Sequence, residues 1–328
     1  MTDFFNFIIA AVLAACPLLL GTLGESLAEK SGNLNLGVEG MMFMGGIAGL
    51  AGSYYYEKAV AEPVAWVSVM IALVCAFLCA SFGALIYSFL TITLRANQNV
   101  TGLALTIFGT GFGNFFGEFI GSTAGGYIAV SQVTKAGFND PLFPALARIP
   151  VVGKVLFSYN FMVYLSIILA IWMWYFIKFT QKGLNLMAVG ERHEAADAAG
   201  INITLYKYLA TCIGGGITGL GGLYIVMNSS NGVGGVWVHN CIGGYGWLSV
   251  ALVIFATWRP SRAMVCALAF GALSVMRFYF PISFIPMAIY EIFPYLATII
   301  VLITVSLRKR RENQPPASLG LPYFREDR

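Results

Sequence analysis

Nine apolar stretches, near residues 5–23, 39–56, 64–94, 100–120, 160–178, 207–227, 243–258, 263–280 and 286–307, dominate this sequence. A helix of about 20 apolar residues spans the hydrocarbon core of a bilayer, and only helices or closed barrels satisfy their own backbone there. The expected fold is therefore an all-α integral membrane protein: a polytopic helical bundle of about nine to ten transmembrane helices forming one domain over residues 1–307, followed by a tail at 308–328. Composition agrees. Hydrophobic residues make up 58% of the 328 and charged residues only 10%, against about 25% charged in soluble domains, which argues against a water-soluble globular enzyme. The 37 glycines fit the same class, because small residues let membrane helices approach closely.

Charge placement gives an orientation. With the loop at 179–206 in the cytoplasm and the chain alternating from there, the cytoplasmic segments collect Lys30, Arg95, Lys178, Lys182, Arg192, Lys207, Arg259, Arg262 and six Lys or Arg of the tail, 14 of 19 in all. The positive-inside rule then puts the N-terminus outside and the C-terminus inside, and the net charge of +4 reads as topology rather than nucleic-acid binding. Leu13-Ala14-Ala15-Cys16 superficially matches a lipoprotein processing site, but the residues before it carry Asp3 and no Lys or Arg, so 5–23 reads as a retained span. Cys75 and Cys79, one helical turn apart in an apolar segment, read as core packing.

Two segments depart from a simple count. The run 64–94 exceeds the length a perpendicular helix needs, so it tilts, protrudes or contains a break. The Gly-rich, polar segment 228–244 is either an external loop or a re-entrant one, which must be buried or line a cavity. Residues 121–158, with Pro141, Pro144 and Pro150 among apolar residues, form one long outer loop suited to lying on a membrane surface. The tail, with Pro315, Pro316 and mixed charges, reads as solvated.

The most specific motif lies in the loop 179–206. Glu194-Ala195-Ala196, followed by Asp197 and then by Gly200-Ile201, has the form EAAxxxG. Physically it is a short Ala-rich helix, charged near its start and ended by a glycine able to take positive φ. It forms either a slim knob that enters a groove on a partner or an ordinary solvated connector. The motif resembles the cytoplasmic coupling helix of ABC-importer permeases, which docks into the ATPase. Gly24-Glu25-Ser26-Leu27-Ala28-Glu29-Lys30-Ser31-Gly32-Asn33-Leu34-Asn35-Leu36-Gly37-Val38-Glu39-Gly40-Met41-Met42, Arg95-Ala96-Asn97-Gln98-Asn99-Val100-Thr101-Gly102 and Phe293-Pro294-Tyr295-Leu296 extend the resemblance to the branch handling sugars, nucleosides and branched-chain amino acids. Leu319-Gly320-Leu321-Pro322-Tyr323-Phe324-Arg325 is similar to tails of its nucleoside members. His193, before the coupling glutamate, departs from the family pattern.

The resemblance implies an inner-membrane permease that translocates nucleosides or simple sugars by alternating access. It implies a second, homologous permease subunit, an ABC ATPase carrying ATP and Mg in trans, and an extracytoplasmic solute-binding protein as partners. Gly190, Glu194, Ala195, Ala196, Asp197, Gly200 and Ile201 are then the ATPase-coupling residues. Independently, the chain has no GxxxxGK[ST] for nucleotide phosphates, no metal-ligand spacing and no nucleophile elbow. No cofactor is expected on it. Asn33, Asn35 and Glu39, in a polar loop at 24–39, and Asn97 and Asn99 are the expected lining of the inner pathway, since amides hydrogen-bond a neutral solute with less desolvation than ions. Each reads alternatively as helix glue or a solvated turn. The rival function is an ion-gradient-driven secondary carrier, which requires an intramembrane ionic relay, whereas the expected spans are almost ion-free.

Overall fold

In the computed structural model, which describes residues 2–147, 149, 152–228, 234–280, 287–307 and 314–324, the first helix, α1 (Thr2–Lys30), runs well past its expected end at residue 23. The polar sequence Gly24–Lys30 continues the helix because its carboxylates find partners inside the bundle, so the expected loop at 24–39 shrinks to residues 31–37. There follow α2 (Val38–Ala59), α3 (Ala65–Ser88), α4 (Gln98–Thr123), α5 (Gln132–Asn139), α6 (Pro144–Ala147), α7 (Val152–Phe157) and α8 (Phe161–Phe179). The chain continues through α9 (Gln181–Glu191), α10 (His193–Ala198), α11 (Ile203–Met227), α12 (Tyr245–Phe255), α13 (Pro260–Tyr279) and α14 (Met287–Leu307). The long run at 64–94 is resolved as a break: α3 gives way to a π-helical turn, Phe89–Thr93, a rare geometry in which Thr91 Oγ1 donates back to the Tyr87 carbonyl.

Among the described residues, six helices are long and apolar enough to cross a membrane, beginning at Phe4, Ala65, Gln98, Phe161, Ile203 and Pro260. The other three expected runs differ for physical reasons. Helix α2 carries Glu39, Glu57 and Lys58, but its first half is walled in by protein, so it needs no apolar exterior. Helix α12 has only 11 residues, and α14 offers a shorter apolar stretch, Ile292–Val301.

Burial orders the bundle. The most apolar window of α11 is 83% buried and that of α1 61%, against 33% or less for α3, α4, α8 and α13. Helix α11 is therefore the axis, enclosed by α1, α2 and α3, while Trp66, Ile107, Phe115, Ile168 and Val265 on the outer helices remain exposed, as a lipid-facing surface requires. The inner contacts rest on glycine. A Cβ at Gly45 would stand 2.4 Å from Gly219 Cα, and one at Gly222 would stand 1.9 Å from the Met42 carbonyl oxygen. Backbones this close leave no room for any side chain.

The bundle has two dissimilar ends. At one, α5, α6 and α7 break up the expected outer loop, and α5 is fastened by Glu57, which accepts from Ser131 N at 2.8 Å, Ser131 Oγ at 2.7 Å and Thr134 Oγ1 at 2.5 Å. At the other, α9 and α10 pack beneath the end of α1. The described part of the tail, 314–324, is folded against that end rather than solvated: Ser318 N donates to the Gly190 carbonyl at 3.0 Å and Gly320 N to that of Gly32 at 3.3 Å.

Candidate functional site

Helix α10 forms where the sequence places it. Ile201 N bonds the Ala196 carbonyl at 3.0 Å and Gly200 takes φ +79°, the left-handed turn that ends a helix and favours glycine. Burial then splits the motif into two faces. His193 and Ala196 point inward, where Val189, Ala196 and Ile203 form a small apolar core flanked by Ile201, Tyr206 and Tyr323. Glu194, Ala195, Ala198, Ala199 and Gly200 face out, with Asp197 half-buried beside them. Gly190 is enclosed: a Cβ there would lie 2.2 Å from the Lys30 carbonyl oxygen. Its part is to let α9 pack against the end of α1. Burial, with the Lys207 ammonium nearby, holds the His193 imidazole down to about 4. At neutral pH the ring is therefore uncharged and suits an apolar underside.

The expected pathway residues divide in the same manner. Asn33 donates to Thr211 Oγ1 at 3.0 Å, and Asn35 accepts from Gly37 N at 2.9 Å in an Asx-type turn. Both are fully enclosed. Asn97 caps α4, its side chain accepting from Val100 N at 3.1 Å, while Asn97 and Asn99 are exposed. Gln98, between them, ties the two regions together by accepting from Leu34 N at 2.7 Å. The loop 31–37 and the start of α4 thus adjoin, with Asn33 and Asn35 engaged in bonds inside the turn while Asn97 and Asn99 stay exposed at its edge.

Those hydrogen bonds return the chain into the bundle. Glu25 accepts from Asn35 N at 3.1 Å, and the Glu29 carboxylate accepts from the Trp258 indole. The carboxylates expected in a polar loop are therefore buried, because α1 extends to Lys30 and turns them inward. Glu39 opens α2 deep within the bundle: Met42, one turn on, reaches Gly21, which lies about 13 Å along α1 from Lys30 at the α-helical rise. Its carboxylate accepts from Gly244 N at 3.1 Å, at the first residue boundary of α12, where the helix dipole favours negative charge.

The described part of the ambiguous segment, 234–244, is the strand of irregular backbone that leads to that point. Val236 makes an isolated antiparallel bridge with Ala129, Trp237 lies where a Cβ on Gly117 would meet it at 2.2 Å, and Asn240 N donates to Asn114 Oδ1 at 3.0 Å. Its backbone thus descends beside α4 from the α5 end to Glu39, where the short helix α12 begins. On the open side of this descent, His239 Nδ1 meets Glu118 Oε1 at 2.6 Å, each side chain 66% exposed, and a Cβ at Gly111 would touch nothing within 4 Å. Asn114 and Glu118 share a face one turn apart, a pairing visible in the sequence. His239 and Asn240 are brought to it by tertiary structure alone.

The family described as the permease component of branched-chain amino acid transport systems matches residues 7–302. A putative glucose ABC transporter permease of Haloferax volcanii is 35% identical over 82% of this chain and 75% of its own. A guanosine ABC transporter permease of Bacillus subtilis is 30% identical over 97% of this chain and 96% of its own. A nucleoside ABC transporter permease of Lactococcus lactis is 30% identical over 89% of each. No solved structure matches.

Proposed function

The chain belongs to the family of permease components of branched-chain amino acid transport systems, and from that premise we propose that it carries nucleosides or related sugars inward, as one of a pair of permease subunits. It is a multi-pass protein of the inner membrane and a permease subunit rather than an enzyme. ATP and Mg belong to a separate ATPase, which docks on the outer face of α10 at Glu194, Ala195, Ala198 and Ala199; an extracytoplasmic binding protein delivers the solute at the α5 end. The nine crossings expected from sequence fit the six long helices together with α2, the pair formed by 234–244 and α12, and α14.

One observation carries the route. The polar edge of Asn114, Glu118, His239 and Asn240, set on irregular backbone beside α4, is open to the outside of this single bundle. Facing lipid, such groups would be costly, and non-helical backbone at membrane depth is tolerated where it lines water or is buried in protein. A second permease opposed to this edge turns it into a polar passage, and broken helices at mid-depth mark solute routes in transporters generally. Glu118→Gln and Asn114→Ala are each expected to lower maximal uptake by about three- to tenfold, the equivalent of one or two hydrogen bonds, with little change in complex assembly. Unaltered uptake in both variants would place the route elsewhere.

The orientation is part of this reading, with the α9–α10 end and the tail inside and the α5 end outside. The exposed positions Gln132, at the start of α5, and Ala317, in the tail, serve as reporters. In a background freed of the six cysteines, Gln132→Cys reacts with an impermeant maleimide from outside and Ala317→Cys reacts only after permeabilisation. Equal outside labelling would refute the orientation.

A further inference from the structure

The segment after α14 does more than end the chain. Among its described residues, Ser318 binds the α9–α10 hinge twice, its N to the Gly190 carbonyl at 3.0 Å and its Oγ to that of Glu191 at 3.2 Å. Tyr323 OH donates to Asp197 Oδ2 on α10 at 2.8 Å, and the same ring packs edge-on to His193 with centroids 5.6 Å apart. The segment then reaches elements remote from α10. Gly320 N donates to the carbonyl of Gly32, in the turn between α1 and α2, at 3.3 Å. The Arg95 guanidinium, just ahead of α4, lies over the Phe324 ring at 4.4 Å, within cation–π range.

Those two remote anchors bracket the interior turn. Gly32 precedes Asn33, Leu34 and Asn35, whose bonds to Thr211, Gln98 and Glu25 lead to Glu39 and the start of α12, and Arg95 precedes Gln98 itself. Direct packing ties α9 to the end of α1 through Gly190, but α10 reaches the α3–α4 connection through this segment. A load on the outer face of α10 passes directly to α9, to Ile203 of α11 and, through His193, to Gly32, and the tail adds the route that reaches both flanks of the turn at once.

We propose that residues 316–324 are a strap that transmits movement of α10 to the turns preceding α2 and α4, with Ser318, Tyr323 and Phe324 as its positioning residues. Coupling between sites requires an element whose arrangement both sites bias, and the strap touches the docking helix at one end and the entrance to the interior turn at the other. It leaves the exposed docking face of Glu194, Ala195, Ala198 and Ala199 uncovered. Docking and transmission are thus separable. The proposal rests on the reading of α10 as the ATPase-docking helix.

The test uses the full complex of permease pair, ATPase and binding protein in proteoliposomes, measuring ATPase co-purification, ATP hydrolysis and guanosine uptake. A chain ending at residue 313 is expected to retain the ATPase and its basal hydrolysis while uptake per ATP falls about tenfold, within the usual span of a coupling effect. Tyr323→Phe, which removes one hydrogen bond and keeps the ring, should lower uptake per ATP by about threefold, and Tyr323→Ala with Phe324→Ala should approach the truncation. If the shortened chain is not inserted, the point variants decide. Unchanged uptake per ATP in the inserted variants, or loss of the ATPase in place of loss of coupling, would overturn the strap. A wild-type complex without ATP-driven uptake would instead overturn the importer reading on which it rests.

Discussion

Glu194→Lys and Gly200→Val are expected to abolish uptake, by tenfold or more in each case, about the size of a full coupling energy, while the permease still inserts and folds. The two act differently on one face. Glu194 stands exposed at the start of α10, so reversing its charge leaves the bundle untouched and alters only what a partner meets. Gly200 holds φ +79° with nothing near its Cβ position, so valine is opposed by the backbone alone. A β-branched residue in the left-handed region costs more than the roughly 1–2 kcal/mol of an ordinary residue there, enough to redirect the chain after Ala199 and tilt the Ala195–Ala199 surface. Co-purification with the ATPase should weaken in both variants. Normal uptake in both would remove α10 from coupling.

The largest loss of folded protein is expected from Gly222→Leu and Gly45→Leu. At these positions the obstacle is backbone, the Met42 carbonyl oxygen at 1.9 Å and Gly219 Cα at 2.4 Å, so no rotamer change relieves it. Overpacking a core against movable side chains costs about 1–3 kcal/mol. Here α2 or α11 must move as a body, and α11 is the axis on which α1, α2 and α3 all rest. Neither variant should yield a monodisperse complex in detergent. Gly111→Leu is the control, since its Cβ meets nothing within 4 Å, and it should fold as wild type. Normal yield of Gly222→Leu would mean that α2 and α11 are not packed backbone to backbone.

The parts legible from sequence are those governed by local rules. Alanine-rich residues 193–198 form a helix by propensity, and Gly200 ends it because a left-handed residue is needed there. Asn97 obeys a local rule too, since an asparagine ahead of a helical run is a cap by preference, and it accepts from Val100 N. The extension of α1 through Glu25 and Glu29 was not legible, because those carboxylates are stabilised inside the bundle by the Asn35 backbone and by the indole of Trp258, 229 residues beyond Glu29. The described part of the tail misled for the same reason: Pro315 and Pro316 look solvated until Ser318, Gly320 and Tyr323 close on Gly190, Gly32 and Asp197. His239 joins Glu118 across 121 residues, a distance over which helical periodicity carries no information.

Uptake driven by ATP in the absence of any ion gradient tests the central claim most directly. Proteoliposomes holding this permease, its partner permease and the ATPase, supplied with binding protein and labelled guanosine, should accumulate the nucleoside only when ATP is hydrolysed on the ATPase side, with ionophores without effect. Accumulation without ATP that follows an imposed sodium or proton gradient, and collapses with an ionophore, would contradict it.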